Sequence, residues 1–150
     1  MNTDFPTLIG KFIHHCGVLE FLTNNSIKAL STDPILSSKF IQSSFYNRIF
    51  LLRHLLYERS NIGKNEIDTI CDELDEIRKQ RNIVAHNPIL FNKADDNGMI
   101  LVIRYKPYEV HHPEKLTKKD IEKLVGQTAE LVNKISKLLP DSTTTNHTDI

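Results

Sequence analysis

Residues 67–88 read IDTICDELDEIRKQRNIVAHNP. Ile67, Ile70, Cys71, Leu74, Ile77, Val84 and Ala85 recur at intervals of three and four with Asp and Glu opposite them, which predicts an amphipathic helix over about residues 65–86. Pro88 ends it, because a proline biases the preceding residue, Asn87, away from helical angles. At about 100° per residue the stripe centres on the direction of Ile67, Leu74 and Ile77, and Arg81 points the same way, one heptad after Leu74. A guanidinium therefore stands where the pattern asks for a leucine. Burying it unpaired would cost on the order of several kcal/mol, so Arg81 is paired, open to a cleft, or at a subunit contact.

Arg78, Asn82 and His86 follow one another every four residues along one edge of the stripe, a spacing that lines their side chains beside Arg81 in a single polar strip. Arg81 and His86 are five residues apart, about 140° around a continuous helix. Both reach one small group only if the helix end unwinds before Pro88 or a second copy of the chain completes the site.

Working outward, Leu8, Ile9, Phe12, Ile13, Cys16, Leu19 and Leu22 predict a first amphipathic helix over about residues 5–27. Ser31-Thr32-Asp33-Pro34 reads as a break and restart, with Asp33 as cap and Pro34 at the first helical position. Phe40, Ile41, Phe45, Ile49, Leu52, Leu55 and Leu56 continue at helical spacing over residues 39–59, and Phe50 and Leu51 widen that stripe toward burial on more than one side. Asn61-Ile62-Gly63 closes the element, with Gly63 expected in the left-handed conformation.

Beyond Pro88, Ile89-Leu90-Phe91 and Met99-Ile100-Leu101-Val102-Ile103 flank the turn sequence Asp95-Asp96-Asn97-Gly98, which predicts a β-hairpin. Thr117 caps a last helix carrying Ile121, Leu124, Val125, Ala129, Val132, Ile135, Leu138 and Leu139, and Pro140 stops it. The expected fold class is all-α, an antiparallel bundle of four to five helices with a short hairpin inserted before the last. It forms one domain over residues 1–139. The remainder, residues 140–150, is rich in Ser, Thr, Asn and Asp and is expected to be disordered.

A chain of 150 residues, 39% apolar and 25% charged, is long enough for one hydrophobic core. No run approaches the roughly 18 apolar residues of a membrane span and no signal peptide is evident, so a cytoplasmic protein without membrane association is expected. Lys plus Arg equals Asp plus Glu at 19 each, so any attraction for nucleic acid must come from a local patch. Cys16 and Cys71 lack paired spacing and read as reduced core thiols. His14-His15 and His111-His112 invite a metal reading, but adjacent helical residues point about 100° apart and neither pair has partners at ligand spacing, so no metal site is expected. Asp95-Asp96-Asn97-Gly98 lacks the remaining acids of a calcium loop. Asp72, Glu73, Asp75 and Glu76 read as a solvated face.

The pattern Arg81-Asn82, three further residues and His86 near the end of a helix, with the small Ala85 just before the histidine, resembles the signature of the HEPN family of helical ribonucleases. The specific likeness is confined to residues 74–87. It implies an endoribonuclease that needs neither metal nor cofactor, acts on RNA, and works as a homodimer whose two motifs share a cleft. Arg81 would hold the scissile phosphate through two parallel hydrogen bonds, Asn82 would orient the phosphate or the histidine, and His86 would transfer protons. Arg78 and Lys79 are candidate RNA contacts on the same helix, and Arg53 is another on the preceding one. Arg48, His54, Tyr57 and Glu58 also lie where they can complete a cleft.

By the same resemblance the setting is a toxin–antitoxin or antiphage-defence system, in which an antitoxin or regulatory protein restrains the nuclease. Two other readings stand beside it. In one, the bundle is a non-catalytic HEPN-like module for regulation, nucleotide binding or assembly. In the other, Arg81 makes an ordinary helix-to-helix ion pair and His86 only caps carbonyls at a helix end.

Overall fold

The computed structural model describes residues 3–92, 97–102 and 114–138. Helix α1 (Phe5–Leu30) begins at Asp4, whose carboxylate accepts from the Thr7 amide at 2.7 Å. It runs about a turn past the expected end and buries Phe5, Leu8, Phe12, Cys16 and Leu19, then continues its inner face through Thr23, Ser26 and Ile27. Ile13, expected on the core face, is exposed. The break at residues 31–33 is as expected: Asp33 caps α2 (Pro34–Ile41), accepting from the Ile35 and Leu36 amides, and Pro34 opens the helix.

The helix expected over residues 39–59 is two. Residues 42–44 break the chain, and Ser44 caps α3 (Phe45–Arg59) by accepting from the Asn47 amide at 3.3 Å. Apolar spacing carries across such a break because Phe40 and Phe45 both pack on the core from different helices, while the Ser43-Ser44 pair supplies the local capping bonds that end one and start the next. Helix α3 buries Ile49, Leu51, Leu52, Leu55 and Leu56, but Phe50 turns to solvent at 67% exposure, so the widening of the stripe holds for Leu51 alone.

Gly63 is also corrected. Its backbone, at φ −62° and ψ 141°, is extended rather than left-handed, and it is the N-cap of α4 (Lys64–His86) instead of the stop of α3. Helix α3 is closed by Ser60, whose hydroxyl and amide both bond the Leu56 carbonyl. Helix α4 buries Ile67, Ile70, Cys71, Leu74, Ile77 and Val84 as expected, whereas Ala85 is exposed.

After Pro88 the chain enters a three-stranded antiparallel sheet, one strand more than the expected hairpin, ordered β1 (Ile89–Asn92), β2 (Asn97–Val102) and β3 (Glu114–Thr117). Phe91 pairs with Gly98, and Met99 with Thr117. The short polar β3 sequence carries no strand signal of its own; it pairs because β2 offers it a ladder. Ile103, Asp95 and Asp96 lie outside the described residues, as do His111-His112, Leu139, Pro140 and the tail. Thr117 then caps α5 (Lys118–Ser136) in a reciprocal box with Asp120, and α5 buries Ile121, Leu124, Thr128, Leu131 and Ile135.

Contacts between helices fix their directions. Arg78 covers the Tyr46 ring, Arg53 bonds Asp72 and Tyr57 bonds Asp68, so α3 and α4 are antiparallel. His15 lies 3.2 Å from Thr128 while Asp4 feels the charge of Lys118, so α1 and α5 run the same way. The sheet sits at the end of the bundle where α1 and α5 begin, with Ile100 buried in the common core.

Gly98 belongs to the turn sequence, yet what requires a glycine there is a close approach: a Cβ built on it would overlap the Phe5 ring. Phe5 is itself fully buried and stacks on Phe91 at 6.3 Å. Gly98→Ala is expected to cost about 1–3 kcal/mol in urea unfolding, with part recovered by Phe5→Leu in the same chain. Gly63→Ser should instead stabilise by a few tenths of a kcal/mol, since a cap hydroxyl replaces hydrogen at an ordinary φ; a loss of stability there would contradict the extended conformation.

Candidate functional site

Arg81 points from the buried stripe of α4, as its place in the sequence requires, but it is not sealed in the core. It is half-buried and lines a groove of about 290 Å³ between α1, α3 and α4. Cys16 and Glu20 of α1 form one wall. Ser44, Phe45, Tyr46 and Arg48 come from the start of α3, and Ile77, Arg78, Arg81 and Asn82 from α4. Three arginines thus meet one glutamate, and the amino end of α3, with its partial positive charge, opens onto the same space.

The three guanidiniums are held differently. Arg48, only 11% exposed, bonds Glu20 at 2.9 Å and the Asn24 side-chain oxygen at 3.0 Å, and covers the Phe45 ring at 5.1 Å. Arg78 bonds Asp75 at 2.7 Å and lies over Tyr46 at 5.4 Å. Arg81 has no carboxylate partner among the described residues; its Nη1 donates only to the Asn82 amide oxygen, at 3.3 Å. A helix-to-helix ion pair does not account for it. Beneath it, burial pushes the Cys16 thiol up to about 12, against the opposing pull of the Arg81 charge.

His86 lies outside the residues that line the groove, about one turn beyond Asn82 on the exposed end of α4. It makes no hydrogen bond among the described residues. The capping role is taken by Asn87, whose side-chain nitrogen donates to the Ile83 carbonyl at 2.8 Å. Helix α4 is continuous through His86, so the helix end does not unwind to bring the imidazole round to Arg81, and the two remain about 140° apart.

The other candidates divide. Arg53 belongs to a separate cluster on α3 and α4, bonded to Asp72 and 3.5 Å from Asp68, which also bonds Tyr57. His54 pairs with Glu58 at 3.2 Å along the exposed side of α3. Lys79 binds Asp75 at 2.9 Å; burial tends to raise that carboxyl, but the bonds from Lys79 and Arg78 hold it below the ordinary range. The acids expected on a solvated face are exposed at Asp72 and Glu76 and pair at the surface, Glu73 with Lys134 at 2.8 Å; Asp75 is the most covered of the four.

Sequence reading overlooked Glu20, Phe45 and Tyr46 as groove residues. Glu20 follows Cys16 by one helical turn, which was a usable signal; the position of Phe45 and Tyr46 depended on the unforeseen break at residues 42–44. No family model, curated protein or solved structure matches this chain.

Two expectations follow from the groove floor. Glu20→Gln strands the nearly buried Arg48 charge and should cost about 2–3 kcal/mol, allowing for the partial exposure of Glu20. Adding Arg48→Met should recover much of that loss in a double-mutant unfolding cycle. Second, a thiol pushed up to about 12 in the folded chain binds its proton more tightly there than when unfolded. Its contribution to stability is complete below about pH 8.5 and is lost as pH rises toward 12. Cys16→Ala should flatten that alkaline fall in unfolding measured against pH.

Proposed function

We propose that the chain is a metal-independent endoribonuclease of the HEPN type, acting as a homodimer. The observation that carries the reading is the state of its two key side chains. Among the described residues Arg81 faces an open cationic groove without a carboxylate partner, and the exposed His86 side chain has no hydrogen bond.

The chemistry suits these groups. The RNA 2′-hydroxyl attacks the adjacent phosphorus, the new 2′-oxygen–phosphorus bond forms as the bond to the 5′-oxygen breaks, one base takes the 2′-proton and one acid protonates the departing oxygen. Arg81 offers a planar pair of donors to the phosphate as its charge rises. Asn82, bonded to Arg81, fixes that guanidinium. His86 supplies proton transfer near neutral pH. One chain carries a single motif histidine, and α4 holds it away from its own Arg81, so a second copy supplies the other half of the acid–base pair.

Arg78, which lines the groove although it bonds Asp75, is the best placed auxiliary phosphate contact, whereas Arg53 and Lys79 bond carboxylates and do not line the groove. The proposal places the enzyme among toxin or defence effectors, restrained by a protein partner. No helix among the described residues is long and apolar enough to cross a membrane. The alternative, a HEPN-like module that binds nucleotide or a partner without cleavage, draws on the position of His86 outside the groove.

Incubating a mixed RNA pool with purified protein and a chelator tests the choice. Wild type should cleave, and His86→Ala should lower the rate by about 10²–10⁴ with an unchanged circular dichroism spectrum. Arg81→Ala should be impaired and Arg81→Lys only partly restored, because lysine lacks the fork. With at most three groove cations at work in each copy of the dimer, the logarithm of RNA affinity should fall with that of salt at a slope no steeper than about −4. Binding without cleavage by wild type would favour the regulatory module.

A further inference from the structure

Tyr46 lies at the start of α3 with 56% of its surface exposed, yet it borders the groove together with the three arginines. Its neighbour Phe45 is committed to covering Arg48. Tyr46 is covered by the Arg78 guanidinium at 5.4 Å, and Arg78 is itself anchored to Asp75 at 2.7 Å. The ring is therefore held by Arg78 while more than half of its surface stays exposed, and it lines the same groove as Arg81, which has no carboxylate partner among the described residues. A flat apolar surface fixed next to an anion site is the arrangement that takes a base and its phosphate together.

We propose that Tyr46 is a base-stacking subsite: its exposed surface receives one unpaired base of an RNA strand whose adjoining phosphate lies against Arg81. The assignment rests on RNA being the ligand of the groove. Stacking on a side chain requires a base whose faces are free, which excludes one enclosed within a duplex. From Arg78 to His86 helix α4 rises about 12 Å, so a ligand that uses both ends of the polar strip is a strand and not a single nucleotide. Arg78 acts as a positioning residue, holding the ring rather than the phosphate as its first duty.

Fluorescence anisotropy on His86→Ala protein, which holds RNA without cutting it, reads the subsite directly. The probes are a labelled single-stranded RNA 12-mer, the same sequence as a duplex, and a strand made abasic throughout. Tyr46→Ala should weaken binding of the intact single strand by roughly 5- to 100-fold, as loss of one stacked base does. Tyr46→Phe should bind as the parent does, and both the duplex and the abasic strand should bind more weakly. In otherwise wild-type protein, Tyr46→Ala should raise KM more than it lowers kcat.

Equal binding by Tyr46→Ala, equal binding of abasic and intact strands, or a mononucleotide that competes as well as the strand would each overturn the subsite. So would a change of oligomeric state in Tyr46→Ala, which would assign the ring to a subunit contact. Strand binding that depends on Tyr46 without any cleavage by wild type would sink the nuclease reading and leave the subsite standing. Cleavage that ignores Tyr46 would do the reverse.

Discussion

The arrangement depends on one charge in the wrong register. Helix α4 is an inward-facing helix through Ile67, Leu74 and Ile77, and the next place on that line is Arg81. A guanidinium cannot be closed into an apolar core without a partner, and among the described residues no carboxylate pairs with it. The bundle must therefore stay open at this level. The groove between α1, α3 and α4 is the form that opening takes, with Glu20 drawn to Arg48 on the opposite wall rather than to Arg81.

Much of this was legible from residue spacing. The stripe of α4, its end at Pro88, the Asp33-Pro34 restart and the Thr117 cap are local patterns, and local hydrogen bonds enforce them. The misreadings share a cause of another kind. The break at residues 42–44 was invisible because Ile41 and Phe45 stand a helical interval of four apart although they belong to two helices. Strand β3 exists because β2 is there to pair with it. Gly98 is small because Phe5, more than ninety residues earlier, occupies the space its side chain would need. Each is a tertiary demand that no window of neighbouring residues contains.

The candidate site shows the same division. Arg78, Arg81 and Asn82 share a groove because they share a helix, and that much follows from a 3.6-residue period. Tyr46 and Arg48 reach it because α3 starts where it does and runs antiparallel to α4. Arg53, a candidate cation by residue type, is about one and a half turns beyond Arg48 on α3 and meets the acids of the first half of α4 instead. Antiparallel packing sorts the α3 arginines by height: the one at the beginning of the helix faces the basic end of α4, and the later one its acidic end.

That sorting explains how a chain of zero net charge presents a cationic groove. Asp72 is matched by Arg53, Glu73 by Lys134, and Asp75 by Lys79 and Arg78, while Glu76 lies 3.9 Å from Lys79. The acids nearest the motif are thus neutralised within a few ångströms by cations that point away from the groove or along its rim. Charges paired this closely have little field beyond a Debye length of about 8–10 Å at ordinary ionic strength. What remains unbalanced is Arg81, so the local potential is set by one residue and the neutrality of the whole is no obstacle to binding an anion there. The same economy limits affinity: with one free guanidinium and one anchored beside an aromatic ring, charge alone cannot hold a strand. Contact with the bases has to supply the rest.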